Sequence, residues 1–125
     1  MAKVIDVDLL LVDTEDKLLA SDLQNTINSL TEKQRKRLFA VVGTGGTTNA
    51  GIVDDLEGVA IICEKENLWF HVDAAYGGGA LVADSVRHLF NGIEKADSIT
   101  IDPHKWMFSP YDCGAVIYKN PELAK

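Results

Sequence analysis

Residues 102–106 read DPHKW, which sets a carboxylate, an imidazole and a primary amine within one short turn, followed by a large aromatic. Lys105 is the group with chemical potential here. A lysine that is desolvated, or flanked by a cationic group, gives up its proton more readily and becomes a nucleophile towards aldehydes. Two further stretches have unusual composition. WFHVDAAYGGGA (69–80) closes a strand-like run on Asp73, with the small Ala75 two residues later and three glycines beyond. GTGGTTNAG (43–51) is rich in glycine and places a hydroxyl at Thr48.

Three chemistries compete for these residues. The glycines at 43, 45 and 46 suggest a dinucleotide loop, but G-x-G-x-x-G fails because Thr48 holds its sixth position, so the glycines read as a tight turn. His71 and Asp73, two apart on a strand, point to one side. With His104 they have the composition of a two-histidine, one-carboxylate iron site. Such sites are typically built on all-β frameworks, which this chain is not, and no metal is assigned. The third chemistry is a carbonyl cofactor. Lys105 supplies the amine, His104 a donor for a phosphate group, and Thr48 a hydroxyl from the neighbouring loop. Asp73 supplies a carboxylate for a protonated ring nitrogen, and Ala75 leaves room for a flat ring. Aldehyde, phosphate and pyridinium nitrogen are the three handles of pyridoxal 5'-phosphate.

Taken singly, most of these residues have plainer uses. Asp73 is an ordinary strand-end cap, and His71 is a hydrogen-bonded, half-buried histidine to which no chemistry is assigned. Trp69, Phe70 and Trp106 read as packing residues, and Gly77, Gly78 and Gly79 as a flexible turn passing close to another backbone. Lys105 and Asp73, taken as a pair on one edge, rise above those uses.

The elements that must position them follow from hydrophobic period. VIDVDL (4–9) has the pattern of a short strand. From Ser21 the pattern turns helical, with Leu23, Ile27 and Leu30 on one face and Ser21 with Gln24 as a capping box. LFAVV (38–42) is a continuous apolar run, as expected of a strand buried on both faces. A second helix follows, with Asp54 and Glu57 as its box and Leu56, Val59, Ala60 and Cys63 as its stripe. WFHVD (69–73) reads as a strand, SVRHLF (85–90) as a short helix ending near Gly92, SITI (98–101) as a strand and GAVIY (114–118) as the last strand. This alternation predicts an α/β domain, a mostly parallel sheet with helices on its faces. Ligands of such sheets bind beyond the carboxyl ends of the strands. The three unusual stretches each follow a predicted strand, so all three should open on one edge.

Composition bounds the rest. At 125 residues the chain is one domain at most, or part of one, and its 46% apolar and 25% charged residues exclude disordered and fibrous classes. A net charge of −7 argues against a nucleic-acid partner. The basic cluster KQRKR (33–37) reads as a solvated helix end. No apolar run reaches the roughly 18 residues needed to span a bilayer, so no membrane partner is expected. The first residues lack a signal-peptide pattern. Cys63 and Cys113 read as buried free thiols of a reducing compartment, and the expected location is cytoplasmic.

HVDAAYGG, NGIEKADS and DPHKW, in this order and at these separations, resemble the pyridoxal-phosphate-dependent amino-acid decarboxylases. That group includes the glutamate, aromatic-amino-acid, tyrosine and diaminobutyrate enzymes. The similarity runs from about Val4 through VVGTGGTTNAGIVDDL to GAVIYKNPE. It implies that Lys105 forms the Schiff base and that Asp73 pairs with the pyridine nitrogen. It further implies Ala75 against the ring, with His104, Thr48 and Ser98 in the cofactor shell. The implied fold is part of an aspartate-aminotransferase-like (fold type I) large domain, and the implied reaction is amino-acid decarboxylation in a homodimeric parent. A carbon–carbon lyase such as sphingosine-phosphate lyase, which carries a similar D-x-H-K stretch, is the second reading. A non-catalytic fragment without cofactor is the third. Members of the family are several times longer. Residues 1–125 are therefore expected to be a partial cofactor domain, lacking its N-terminal part and the C-terminal small domain. Such a piece should be inactive alone and prone to self-association.

Overall fold

The computed structural model describes residues 6–124. Along the chain come α1 (Ala20–Ser29), α2 (Glu32–Arg35), β1 (Ala40–Thr44), α3 (Leu56–Glu66), β2 (Trp69–Asp73), α4 (Asp84–Arg87), β3 (Ser98–Ile101) and β4 (Ala115–Tyr118). The strands form one sheet in the order β1-β2-β3-β4. The first three are parallel and β4 returns antiparallel to β3, so the mostly parallel α/β sheet is present. Parallel neighbours need a crossover longer than a hairpin. Helix α3 makes the first, and the second runs through a 3₁₀ turn at Gly77–Val82 and the single-turn α4.

Helix α3 forms because Leu56, Val59, Ala60 and Cys63 fall at i, i+3, i+4 and i+7, one apolar stripe. All four are buried in the core that also takes Phe70 and Val72 of β2. The cap is Asp55 rather than Asp54: its carboxylate accepts from Gly58 N at 3.0 Å and from Ala20 N at 3.3 Å, serving the first turns of two helices. Asp54 is turned away, accepting the amides of Thr44 at 2.6 Å and Leu18 at 2.8 Å. Helix α1 likewise begins one residue before the expected Ser21, where Asp22 accepts from the Leu19 amide at 3.3 Å. Charged acceptors thus take the positions expected for the Ser21–Gln24 box. Leu23 and Ile27 are buried as the period requires, and Leu30 is half-buried.

Other expectations are corrected as well. Residues 6–9 form a turn and irregular chain rather than strand, and Val4 and Ile5 lie outside the described residues. Strand β1 starts two residues later than LFAVV, and Val42 is 61% exposed, so β1 is not buried on both faces. The described helices cover the face of Phe70 and Val72 and leave Val42 on the other. Cys113 is half-buried on the loop before β4, whereas Cys63 is fully buried. The KQRKR cluster carries its own helical turn, capped by Thr31 and Gln34, with Arg35 paired to Glu66 and Arg37 to Asp8.

Candidate functional site

Strand register brings the three loops together. Thr44 lies opposite Asp73, and Asp73 opposite Thr100. The ladder then continues past the strand ends: Gly45 N donates to Asp73 O at 2.8 Å, Ala74 N to Thr100 O at 3.0 Å and Asp102 N to Ala75 O at 3.2 Å. GTGGTTNAG, DAAYGGGA and DPHKW therefore open on one edge, the carboxyl edge of the parallel strands.

The glycines hold the loops in contact. A Cβ on Gly46, whose φ is +103°, would lie 2.7 Å from Gly77 Cα. Gly79 packs against Trp106, where a Cβ would meet Trp106 Cβ at 2.5 Å. Gly77, Gly78 and Gly79 are buried in the 3₁₀ turn, so the expected close passage to another backbone is present.

Asp73 ends β2 with its carboxylate exposed at the edge, its Oδ1 accepting from Ala75 N at 3.1 Å. Ala75 is half-buried beside it. Lys105 reaches the same edge from the turn after β3, its Nζ 2.7 Å from Asp102 Oδ2. Asp102 is the residue that sequence reasoning missed. The signal was in DPHKW itself: an acid and a lysine three apart across a proline turn.

His104 Nδ1 lies 2.7 Å from the carbonyl of Cys113. The Cys113 amide donates to the same nitrogen at 3.3 Å, so both backbone groups of Cys113 meet this edge of the ring. The ring also meets Tyr111 edge-on at 5.1 Å. Thr48 is exposed in the turn of the β1 loop. Ser98 stands two residues back from the edge, 5% exposed. Its Oγ accepts from Trp69 Nε1 at 2.9 Å and lies 2.8 Å from His71 Nδ1. His71 Nε2 is 3.2 Å from Thr100 Oγ1, so this ring spans two hydroxyls of β3. The indole N–H donates to Ser98 Oγ, and each His71 ring nitrogen faces a hydroxyl that can either donate or accept. His71 is the hydrogen-bonded, half-buried histidine its position suggests. Among the described residues no group of three His, Cys, Asp or Glu side chains could hold a metal ion. Trp106 is 48% exposed and meets Tyr76 edge-on at 5.5 Å, so it is a rim residue rather than a core one.

Away from the edge, burial and then the Asp97 charge push the Cys63 thiol up to about 12. It takes no part in the site.

The chain is similar to known proteins over most of its length. Residues 1–125 match a family model described as the pyridoxal-dependent decarboxylase conserved domain. The chain is 43% identical over 111 residues to an aspartate 1-decarboxylase of Aliivibrio fischeri, covering 89% of this chain and 20% of that protein. It is 44% identical over 87 residues to an aromatic-L-amino-acid decarboxylase of Bacillus atrophaeus, covering 70% of this chain and 18% of that one. Among solved structures it resembles tryptophan decarboxylase of Catharanthus roseus in complex with L-tryptophan. The TM-score is 0.86 at 28% identity, covering 98% of this chain and 27% of that one. The chain thus spans about a fifth of the length of the curated relatives it matches.

Proposed function

We propose, from the premise that the chain belongs to the pyridoxal-dependent decarboxylase family, that it is the lysine-bearing part of the cofactor domain of an amino-acid carboxy-lyase. In this reading pyridoxal 5'-phosphate is attached covalently at Lys105. The observation that carries the reading is the arrival of Lys105 and Asp73 on one sheet edge from different strands.

The donor set fits that group. A primary amine, a carboxylate, an imidazole and a threonine hydroxyl lie on loops of the same edge, and the small Ala75 stands between Asp73 and the glycine turn. Lys105 is the nucleophile towards the aldehyde. Asp73 would pair by charge with the ring nitrogen and favour its protonated form. His104 and Thr48 serve the phosphate side, and Ser98 steadies Trp69 and His71 behind the site. When bound, the cofactor supplies an acceptor for the electrons left as carbon dioxide departs.

Turnover belongs to the longer protein, which we take to be a cytoplasmic homodimer acting on an amino acid. The net charge of −7 disfavours nucleic acid as a partner. Among the described residues no helix is long and apolar enough to cross a membrane. The test is borohydride reduction of the full-length protein loaded with pyridoxal 5'-phosphate. The expected result is a phosphopyridoxyl group on the peptide containing DPHKW. Label on another lysine, or none, overturns the reading.

A further inference from the structure

Asp102 carries no role in the sequence-based expectations, yet its carboxylate engages the reactive amine directly. Asp102 Oδ2 lies 2.7 Å from Lys105 Nζ, with the two side chains 19% and 33% exposed. Both side chains keep part of their surface in solvent, so the pair is partly shielded and still open to salt. The backbone fixes it at both ends: Asp102 N donates to Ala75 O at 3.2 Å, and Lys105 N donates to Asp102 O at 3.0 Å. Pro103 between them locks its own φ and narrows the turn. A Cβ at Gly114 would stand 3.3 Å from Asp102 Oδ1, so the glycine leaves the carboxylate its place.

We propose that Asp102 is a positioning residue that holds the Lys105 amine in the cofactor-free protein and competes with the aldehyde for it. The proposal rests on Lys105 being the point of attachment. On attachment the ammonium leaves the carboxylate and passes its surplus proton to solvent. The nitrogen then bonds to the aldehyde carbon, the carbon–oxygen bond breaks, and the oxygen leaves as water. The ion pair is lost in that exchange, so it weakens capture. The grip also gives the displaced amine a defined place to rest once substrate has taken the cofactor, close to where it must act again.

The test uses the full-length protein stripped of cofactor and titrated with pyridoxal 5'-phosphate, comparing wild type, Asp102→Asn and Asp102→Glu. Asp102→Asn keeps the shape and removes the charge. It should bind about fivefold more tightly, equivalent to roughly 1 kcal/mol at 1.4 kcal/mol per tenfold. Salt weakens attraction of the cofactor phosphate equally in all three proteins, but it also loosens the Asp102–Lys105 pair. Raising salt from about 50 to about 500 mM should therefore narrow the gap between wild type and Asp102→Asn, while Asp102→Glu follows wild type. A merely structural role would not produce that salt signature. Equal or weaker binding by a folded Asp102→Asn protein, or a gap independent of salt, overturns the proposal. If Asp102→Asn fails to fold, the comparison of wild type with Asp102→Glu decides, and a Glu protein that departs from the wild-type salt response overturns it. Borohydride mapping in parallel separates the two ideas. Label on Lys105 with no change in affinity removes the role of Asp102 alone, whereas label elsewhere removes the attachment at Lys105.

Discussion

Replacing Asp73 by alanine distinguishes a cofactor contact from a strand-end cap, because the two roles load different quantities. In the structure the Asp73 carboxylate is exposed and holds the Ala75 amide at 3.1 Å. Losing one such hydrogen bond costs about 0.5–1.5 kcal/mol of stability. If, as proposed, a cationic ring nitrogen covers the carboxylate, the pair would be buried, and removing one member of a buried pair costs roughly 3–5 kcal/mol. Borne by the transition state, that loss lowers turnover on the order of a hundredfold to several thousandfold, at 1.36 kcal/mol per tenfold. The assay measures three things on full-length Asp73→Ala: urea stability, kcat at saturating amino acid, and the borohydride label. The expected outcome is stability within about 1.5 kcal/mol of wild type, turnover down at least about a hundredfold, and label retained on Lys105. A folded, cofactor-saturated variant within about threefold of wild-type turnover would refute the assigned role. So would a stability loss above about 3 kcal/mol with turnover tracking the folded fraction, which would make Asp73 a structural residue.

Two further outcomes follow from the geometry. Gly46 and Gly51 both have positive φ, +103° and +66°, but a Cβ at Gly46 meets Gly77 backbone while one at Gly51 meets nothing within 4 Å. Gly51→Ala should cost about 1–2 kcal/mol from backbone strain alone. Gly46→Ala should cost about 1–3 kcal/mol more from the steric contact, and equal losses in urea melts would refute the close approach. Cys63 gives a pH signature. Its thiol is raised from 9.0 to about 12 in the folded chain, so the neutral form is the one folding favours. The stability this contributes is fully present below pH 9 and is lost as pH rises from 9 to about 12. The loss runs at about 1.4 kcal/mol per pH unit. In Cys63→Ala that component of the alkaline slope should vanish, and an unchanged slope counts against the burial of the thiol.

Legibility in the sequence followed how local each signal was. β2 and β3 were readable to the residue because WFHVD and SITI carry β-branched or aromatic side chains, with SITI set between Asp97 and Asp102. β1 slid by two residues because its bounds come from pairing, Ala40 with Trp69 and Thr44 with Asp73, while its end, Gly43–Thr44, has no apolar signal. The two aspartates at 54 and 55 are indistinguishable by spacing. Only the tertiary structure shows that one caps α3 and the other ties β1 to the N-terminal segment. At the site, the edge shared by Asp73 and Lys105 was legible because order along a parallel sheet fixes which loops meet. The contact of His104 Nδ1 with Cys113 was not, since it depends on how one turn folds back on the loop before β4.

The contact of Gly46 with Gly77 has a mechanical consequence. Two loops that touch backbone to backbone have no side chains between them to act as bearings, so neither can slide without carrying the other. The edge then behaves as a single rigid lip with few independent degrees of freedom. Repositioning Thr48 relative to Ala75 by lengthening one loop would require a matching change in the other. Variation in what the lip accommodates must therefore come from swapping side chains along it, such as those at 48 and 75, and from segments laid against it rather than from the loops opening.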